Sequence, residues 1–188
     1  MNLVILDQQH HGKPHTDDKG ASFGSLVETD LTAGYIAAAQ NALEAAGVEV
    51  LVLRWGWYSE RHTYVREVAK AVPGKVVYVA CHVNAGGGSY GLVCHDYRSK
   101  AGSEIAESVG AELGKLVETV RVEAASGGTW KNAYNTIKGV FEGPGNLSGI
   151  CYEPGFIDSD MNKHMWLADG LVRVGDALAA GCLKYLEP

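Results

Sequence analysis

Short apolar runs alternate along the chain with segments of helical periodicity, and this alternation limits the possible folds more than any other feature. The runs of strand length lie at Leu3 to Leu6, Val48 to Leu53, Val76 to Cys81, Leu92 to Cys94, Val117 to Val122 (also consistent with a helix end) and Ile150 to Tyr152. Helical patterns cover roughly residues 31–46, 61–72, 103–116 and 162–185. This order predicts an α/β fold: a mixed, mostly parallel sheet with helices on both faces.

The length of the chain fits one domain. Its 188 residues are 46% hydrophobic, enough for one sizeable core. No internal repeat or shift in composition marks a linker, so we predict a single domain over residues 1–188. The connection 84–90 is too short for a parallel crossover, which predicts that the strand at 92–94 runs antiparallel to the strand before it.

Charge and the length of the apolar runs argue against nucleic-acid and membrane partners, and the cysteines indicate the compartment in which the protein is made. Sixteen Lys and Arg against 22 Asp and Glu give a net charge of −6, which argues against a nucleic-acid partner. No apolar run approaches the roughly 18 residues of a membrane span, and the N-terminus lacks the basic region of a secretory signal. The four cysteines form no CxxC pair, which indicates reduced thiols in a protein made in the cytoplasm.

Histidine and carboxylate side chains follow several of the predicted strands. His10 comes after the first strand, His82 after the third and Glu153 after the last, and Glu28 lies near the start of the first helix. In an open α/β sheet, ligands bind beyond the carboxyl ends of the parallel strands. Imidazole and carboxylate are the ligands expected of a catalytic zinc site. These residues are therefore candidates for a metal centre.

Each of these residues also has an ordinary structural interpretation. A single histidine after a strand is commonly a polar residue with a hydrogen-bond partner. Glu28 completes a capping box with Ser25, which stabilises a helix start without any chemistry. Glu153 fits a solvated loop equally well. Spacing alone therefore favours neither a metal site nor a structural role.

Five segments carry a resemblance to a known family. They are Val4-Ile5-Leu6-Asp7-Gln8-Gln9-His10-His11-Gly12-Lys13, Glu28-Thr29-Asp30-Leu31, Ala45-Ala46-Gly47-Val48-Glu49-Val50, Cys81-His82-Val83-Asn84-Ala85 and Tyr152-Glu153-Pro154-Gly155-Phe156-Ile157. In this order they resemble the landmarks of the zinc-dependent N-acetylmuramoyl-L-alanine amidases, which cleave peptidoglycan in cell-wall turnover, spore lysis and phage endolysins. The match covers almost the whole chain and is weakest between about Glu123 and Gly149.

The resemblance implies a ligand set and a reaction. His10, Glu28 and His82 would hold Zn²⁺, and Glu153 would be the catalytic carboxylate. The reaction would hydrolyse the amide that joins the lactyl group of N-acetylmuramic acid to L-alanine. Zinc would activate water and polarise the carbonyl, while Glu153 would act first as a general base and then as a general acid.

Three further residues have weaker assignments. His11 is adjacent to His10 and could compete with it for the metal, although His10 fits the register of the family better. Asp7 is a candidate for orienting a ligand imidazole, with a helix-cap or loop role as the alternative. Asn84 could donate a hydrogen bond to substrate or could simply turn its loop.

The setting and the rival functions follow from the same resemblance. The missing signal and missing wall-binding segment suggest a monomeric phage endolysin that acts on peptidoglycan after release through a holin pore. One rival is a zinc peptidase of related fold, and another is a catalytically silent wall-binding relative. The complete set of candidate ligands disfavours the silent relative. Trp55 and Trp57 could stack on sugar, line a peptide groove or pack on the body of the protein.

Overall fold

A six-stranded sheet runs through the middle of the protein. The computed structural model describes residues 1–187. The strands are β1 (Leu3–Gln8), β2 (Ser22–Phe23), β3 (Leu26–Val27), β4 (Glu49–Leu53), β5 (Val76–Cys81), β6 (Gly91–Asp96), β7 (Val120–Ala125) and β8 (Leu147–Glu153). The helices are α1 (Glu28–Ala45), α2 (Tyr58–Ala71), α3 (Lys100–Leu113), α4 (Lys131–Phe141) and α5 (Ala168–Leu186), with a short 3₁₀ helix at Lys163–Trp166.

The strand order of the sheet is β4-β1-β5-β8-β6-β7, and β2 with β3 forms a separate hairpin. The strands β4, β1, β5 and β8 are parallel, whereas β6 pairs antiparallel with β8 and parallel with β7. The predicted mixed, mostly parallel sheet is therefore confirmed. The strand at 92–94 does run opposite to β5, but β8 lies between the two.

Helices cover both faces of the sheet, as predicted. Helices α1, α3 and α5 pack on one face, where Tyr35, Val109 and Leu178 join a buried cluster with strand residues such as Val79. Helices α2 and α4 pack on the other face around Tyr78. Because β1 and β5 are buried on both sides, their sequences are apolar throughout most of their length instead of alternating.

The structure differs from the predictions mainly between residues 117 and 149. Strand β7 covers 120–125 rather than 117–122, and Val117 follows α3 and packs into the core. Helix α4 was not predicted, because its sequence KNAYNTIKGVF holds Asn, Thr and Gly residues of low helix propensity. Its apolar residues Ala133, Ile137 and Val140 nevertheless lie at helical spacing and are buried against the sheet.

All four cysteines are free and buried, which agrees with the predicted reduced thiols. Burial raises the pKa of each thiol above its ordinary value. None of the helices within residues 1–187 combines the length and the apolar character needed to cross a membrane.

Candidate active site

Three potential metal-binding side chains meet at the carboxyl edge of the sheet. Glu28 Oε1 lies 3.0 Å from His82 Nδ1 and 3.5 Å from His10 Nε2. One donor atom from each of the three residues lies within 4.8 Å of the other two. The structure thus brings together the three side chains that the sequence singled out as zinc ligands.

The parallel pairing of β1 and β5 explains why the two imidazoles meet. Gln8 at the end of β1 is in register with Cys81 at the end of β5, so the residues that follow them emerge side by side. The two imidazole rings are 5.1 Å apart between centroids and lie edge to face. A positive φ of 64° at His10 turns the chain away from the strand direction immediately beyond β1.

Backbone amides hold the carboxylate of Glu28 in place. Oε1 accepts a hydrogen bond from the amide of Val83 (3.0 Å), and Oε2 accepts one from the amide of Ala21 (2.8 Å). The capping-box interpretation is therefore wrong: α1 begins at Glu28 without a side-chain cap. Gly20 permits this arrangement, since its φ is positive and a Cβ there would collide with the Glu28 carboxylate.

Asp18 orients His10, and sequence reasoning missed it. Its two carboxylate oxygens lie 2.9 and 3.0 Å from His10 Nδ1. Although partial burial acts to raise it, the pKa of Asp18 is held well below its usual range by hydrogen bonds from Lys13, Gly20 and His10. An ionised Asp18 accepts a hydrogen bond from the Nδ1–H of His10 and leaves the lone pair of Nε2 facing Glu28.

The arrangement fits a zinc ion. His82 has one ring nitrogen facing Glu28, and its other nitrogen, Nε2, is buried without a hydrogen-bond partner among the described residues. Burial alone would raise the pKa of Glu28, but the hydrogen bond and charge of His82 bring it below the ordinary value. An ionised carboxylate beside two imidazoles is a donor set that Zn²⁺ prefers.

Glu153 faces the same cavity from the end of β8. The cavity has a volume of about 330 Å³, and its lining includes Glu153, Asn84 and the three candidate ligands. Burial raises the pKa of Glu153; the charge of His82 opposes this rise, whereas the charge of Glu28 adds to it. A carboxyl group with a raised pKa can both accept and release a proton near neutral pH.

The residues with weaker assignments have distinct positions. His11 is exposed, lies 3.2 Å through Nδ1 from the carbonyl oxygen of Arg54 and stays outside the donor cluster. Asn84 lines the cavity together with Glu153 and accepts a hydrogen bond from the Ala85 amide (2.8 Å). It is therefore both a loop-turning residue and a cavity residue.

Asp7 does not orient an imidazole, which corrects the sequence-based assignment. It is fully buried and forms an ion pair with Arg61. It also accepts hydrogen bonds of 2.5 Å from the Tyr78 hydroxyl and from Gln9 Nε2. Asp18, which lies in a loop eight residues after His10, has the role that was expected of Asp7.

Several solved structures share the fold on which this site is built. No protein-family model matches the sequence, and no curated protein sequence does. Among solved structures, the N-acetylmuramoyl-L-alanine amidase AmiC2 of Nostoc punctiforme is 21% identical with a TM-score of 0.74, over 98% of this chain and 96% of AmiC2. The catalytic domain of the CD27L endolysin, which targets Clostridia difficile, is 16% identical with a TM-score of 0.69. The match covers 98% of this chain and 97% of that domain.

Cwp6 from Clostridium difficile gives a TM-score of 0.76 at 17% identity and covers 99% of this chain. This chain spans only 29% of the length of Cwp6. The protein therefore has the fold of the N-acetylmuramoyl-L-alanine amidases. The resemblance predicted from the sequence motifs is confirmed at the level of the fold.

Proposed function

We propose that this protein hydrolyses the amide between N-acetylmuramic acid and L-alanine in peptidoglycan, with Zn²⁺ held by His10, Glu28 and His82. One observation carries the proposal: the two imidazoles and the carboxylate converge in the same cavity as Glu153. The shared fold with named peptidoglycan amidases supports the choice of substrate.

The roles of the residues follow from their contacts. When bound, Zn²⁺ supplies Lewis acidity, which lowers the pKa of water towards about 7 and polarises the carbonyl group. Asp18 holds the tautomer of His10, and the amides of Ala21 and Val83 fix the carboxylate of Glu28. Glu153 takes a proton from the attacking water and delivers it to the departing nitrogen of L-alanine.

The proposal extends to the setting in which the protein acts. Residues 1–188 form one catalytic domain that works as a monomer on the cell wall and has no nucleic-acid or membrane partner. It is made in the cytoplasm and reaches the wall as a phage endolysin does, after release through a holin. The similarity to an endolysin catalytic domain supports this setting.

Digestion of purified peptidoglycan tests the proposed reaction. We expect release of free α-amino groups on L-alanine without new reducing ends, loss of this activity after chelation and its return with one Zn²⁺ per chain. New reducing ends would show a glycosidase instead. Cleavage only within the peptides would indicate a zinc peptidase, and wall binding without any release would indicate a catalytically silent relative.

Asp18→Asn is expected to weaken Zn²⁺ binding by about 10-fold to 100-fold, since the variant loses the carboxylate that holds the Nδ1–H of His10. Competition with a chromophoric chelator measures this change. Asp17→Asn is the matched control, because Asp17 is exposed and pairs only with Lys19 at 3.4 Å among the described contacts. Equal zinc affinity in the two variants would contradict the role of Asp18.

A further inference from the structure

The cavity that holds the candidate metal site is the middle part of a longer cleft. On one side it shares Asn84, Asn132 and Glu153 with a second cavity of about 260 Å³, which we call the Glu153 arm. On the other side it shares Tyr58 and Asn135 with a third cavity of about 500 Å³, which we call the Trp57 arm. Helix α4 contributes residues to the wall of all three cavities.

The position of Glu153 gives the cleft a direction. In the proposed reaction Glu153 delivers a proton to the departing nitrogen, so it must lie within hydrogen-bond reach of that atom. Glu153 lines the catalytic cavity and the Glu153 arm but not the Trp57 arm. The stem peptide therefore extends from the scissile amide into the Glu153 arm, and the lactyl group and its sugar extend into the Trp57 arm.

The two arms differ in chemistry in a way that agrees with this direction. The Trp57 arm offers aromatic rings, since Trp57 is 43% exposed and Tyr58 lies beside it. Rings with an apolar face and a polar edge suit the face of a sugar. The Glu153 arm is lined by Trp130 and Lys131, and Lys131 brings a positive charge to the cavity that Glu153 also lines.

Lys131 is exposed, and no ion pair or side-chain hydrogen bond involves its ammonium group among the described contacts. The residue before it, Trp130, has a φ of 53°, which is uncommon for a bulky side chain and is retained only where the surroundings impose it. This conformation begins α4 at Lys131, at the edge of the Glu153 arm.

We propose that Lys131 determines specificity by binding the carboxylate of the second stem residue, an assignment that rests on the proposed function. In an extended stem this acidic residue, which follows L-alanine, lies about 7 Å from the scissile nitrogen. The negative charge of Glu153 in the same arm would repel that carboxylate, and the ammonium group of Lys131 compensates for it. Lys138, two helical turns along α4, lines the Trp57 arm instead.

A pair of matched substrates tests this assignment. The first is N-acetylmuramoyl-L-alanyl-D-glutamate, and the second is its α-amide, N-acetylmuramoyl-L-alanyl-D-isoglutamine. In both compounds the γ-carboxyl group is blocked as its methylamide, so only the first carries the negative charge of the α-carboxylate. We expect kcat/KM of the wild-type protein to be about threefold to tenfold higher for the acid, the range of a charge-assisted contact in a partly exposed cleft. In Lys131→Met and Lys131→Gln the ratio should fall to about 1.

Two further variants separate the assignment from a general effect of charge. Lys70→Met removes an exposed charge that pairs with Glu67 far from the cleft, and it should keep the wild-type ratio. Lys138→Met should keep it as well, since Lys138 lies in the other arm. Calorimetric binding of both substrates to Glu153→Gln gives a readout without turnover. In this variant, which keeps Lys131, we expect the acid to bind about threefold to tenfold more tightly than the amide. When Lys131→Met is added, the two affinities should become equal.

Several results would overturn the assignment. One is a wild-type ratio of 1, and another is an unchanged ratio in both Lys131 variants. A third is loss of the ratio in Lys138→Met instead, which would place the stem peptide in the Trp57 arm. If the wild-type protein hydrolyses neither substrate, the proposed function itself fails and the assignment fails with it. Hydrolysis of both substrates with no role for Lys131 leaves the proposed function intact and overturns only this inference.

Discussion

Glutamine in place of Glu153 is expected to lower kcat on peptidoglycan by about a hundredfold to ten-thousandfold, the usual contribution of a positioned general acid and base. The amide has nearly the shape of the carboxylate, so the cavity that Glu153 lines should keep its form. It cannot take a proton from water or deliver one to the departing nitrogen. Release of L-alanine amino groups measures the loss.

The zinc content of the variants distinguishes a general acid and base at Glu153 from a metal ligand at Glu153. Glu153→Gln should keep one Zn²⁺ per chain, because the donor cluster consists of His10, Glu28 and His82. His82→Ala, by contrast, should lose both the metal and the activity. Glu118→Gln, at an exposed position outside the cleft, is the matched control and should behave as wild type. Undiminished activity in Glu153→Gln would refute the mechanism, and loss of zinc in this variant would make Glu153 a ligand.

Methionine in place of Arg61 is expected to lower the free energy of unfolding by about 3–5 kcal/mol, because it leaves the carboxylate of Asp7 buried and unpaired. Both side chains are 0% exposed. For a chain of this length the loss corresponds to a decrease in Tm of roughly 6–20 °C. Urea unfolding and calorimetry both measure it.

A double variant separates the unpaired charge from the loss of packing. Asp7→Leu combined with Arg61→Met removes both charges, so it should recover much of the stability that Arg61→Met loses. Arg66→Met is the control, since Arg66 is partly exposed and its partner Glu142 lies in solvent, and its effect should be within about 1 kcal/mol. A decrease in Tm of less than 2 °C in Arg61→Met would contradict the prediction.

This ion pair also affects the candidate metal site. Arg61 donates hydrogen bonds to the carbonyl oxygens of Gln8 (3.0 Å) and His11, on either side of His10. Loss of the guanidinium should therefore loosen the turn that presents His10. We expect zinc affinity to decrease in Arg61→Met even at temperatures where the variant is folded.

The parts of the site that lie at strand ends could be predicted from the sequence. His10 and His82 follow β1 and β5, Glu153 is the last residue of β8, and these three strands are neighbours and parallel. The apolar runs identified the strands, and parallel pairing brings their carboxyl ends to one edge. The sequence could thus predict the convergence of these side chains without any knowledge of the loops.

The residues that orient the site could not be predicted in this way. Asp18 lies in a polar loop whose path depends on contacts with Lys13 and Gly20, and no periodic pattern marks it. Asp7 looked like a metal-site residue because of its position, but its partner Arg61 is 54 positions away on α2. Long-range pairing of single polar residues leaves no signal in one sequence.

The wall of the cleft and the metal donors belong to different parts of the chain. The donors lie just beyond β1, at the first residue of α1 and just beyond β5, within the first 82 residues, whereas α4 lies in the connection between β7 and β8. Replacement of the segment 126–146 by that of another protein of this fold would therefore exchange one wall of the cleft without altering a single ligand. If the proposed function holds, such an exchange would alter recognition of the stem peptide while the candidate metal site stays the same.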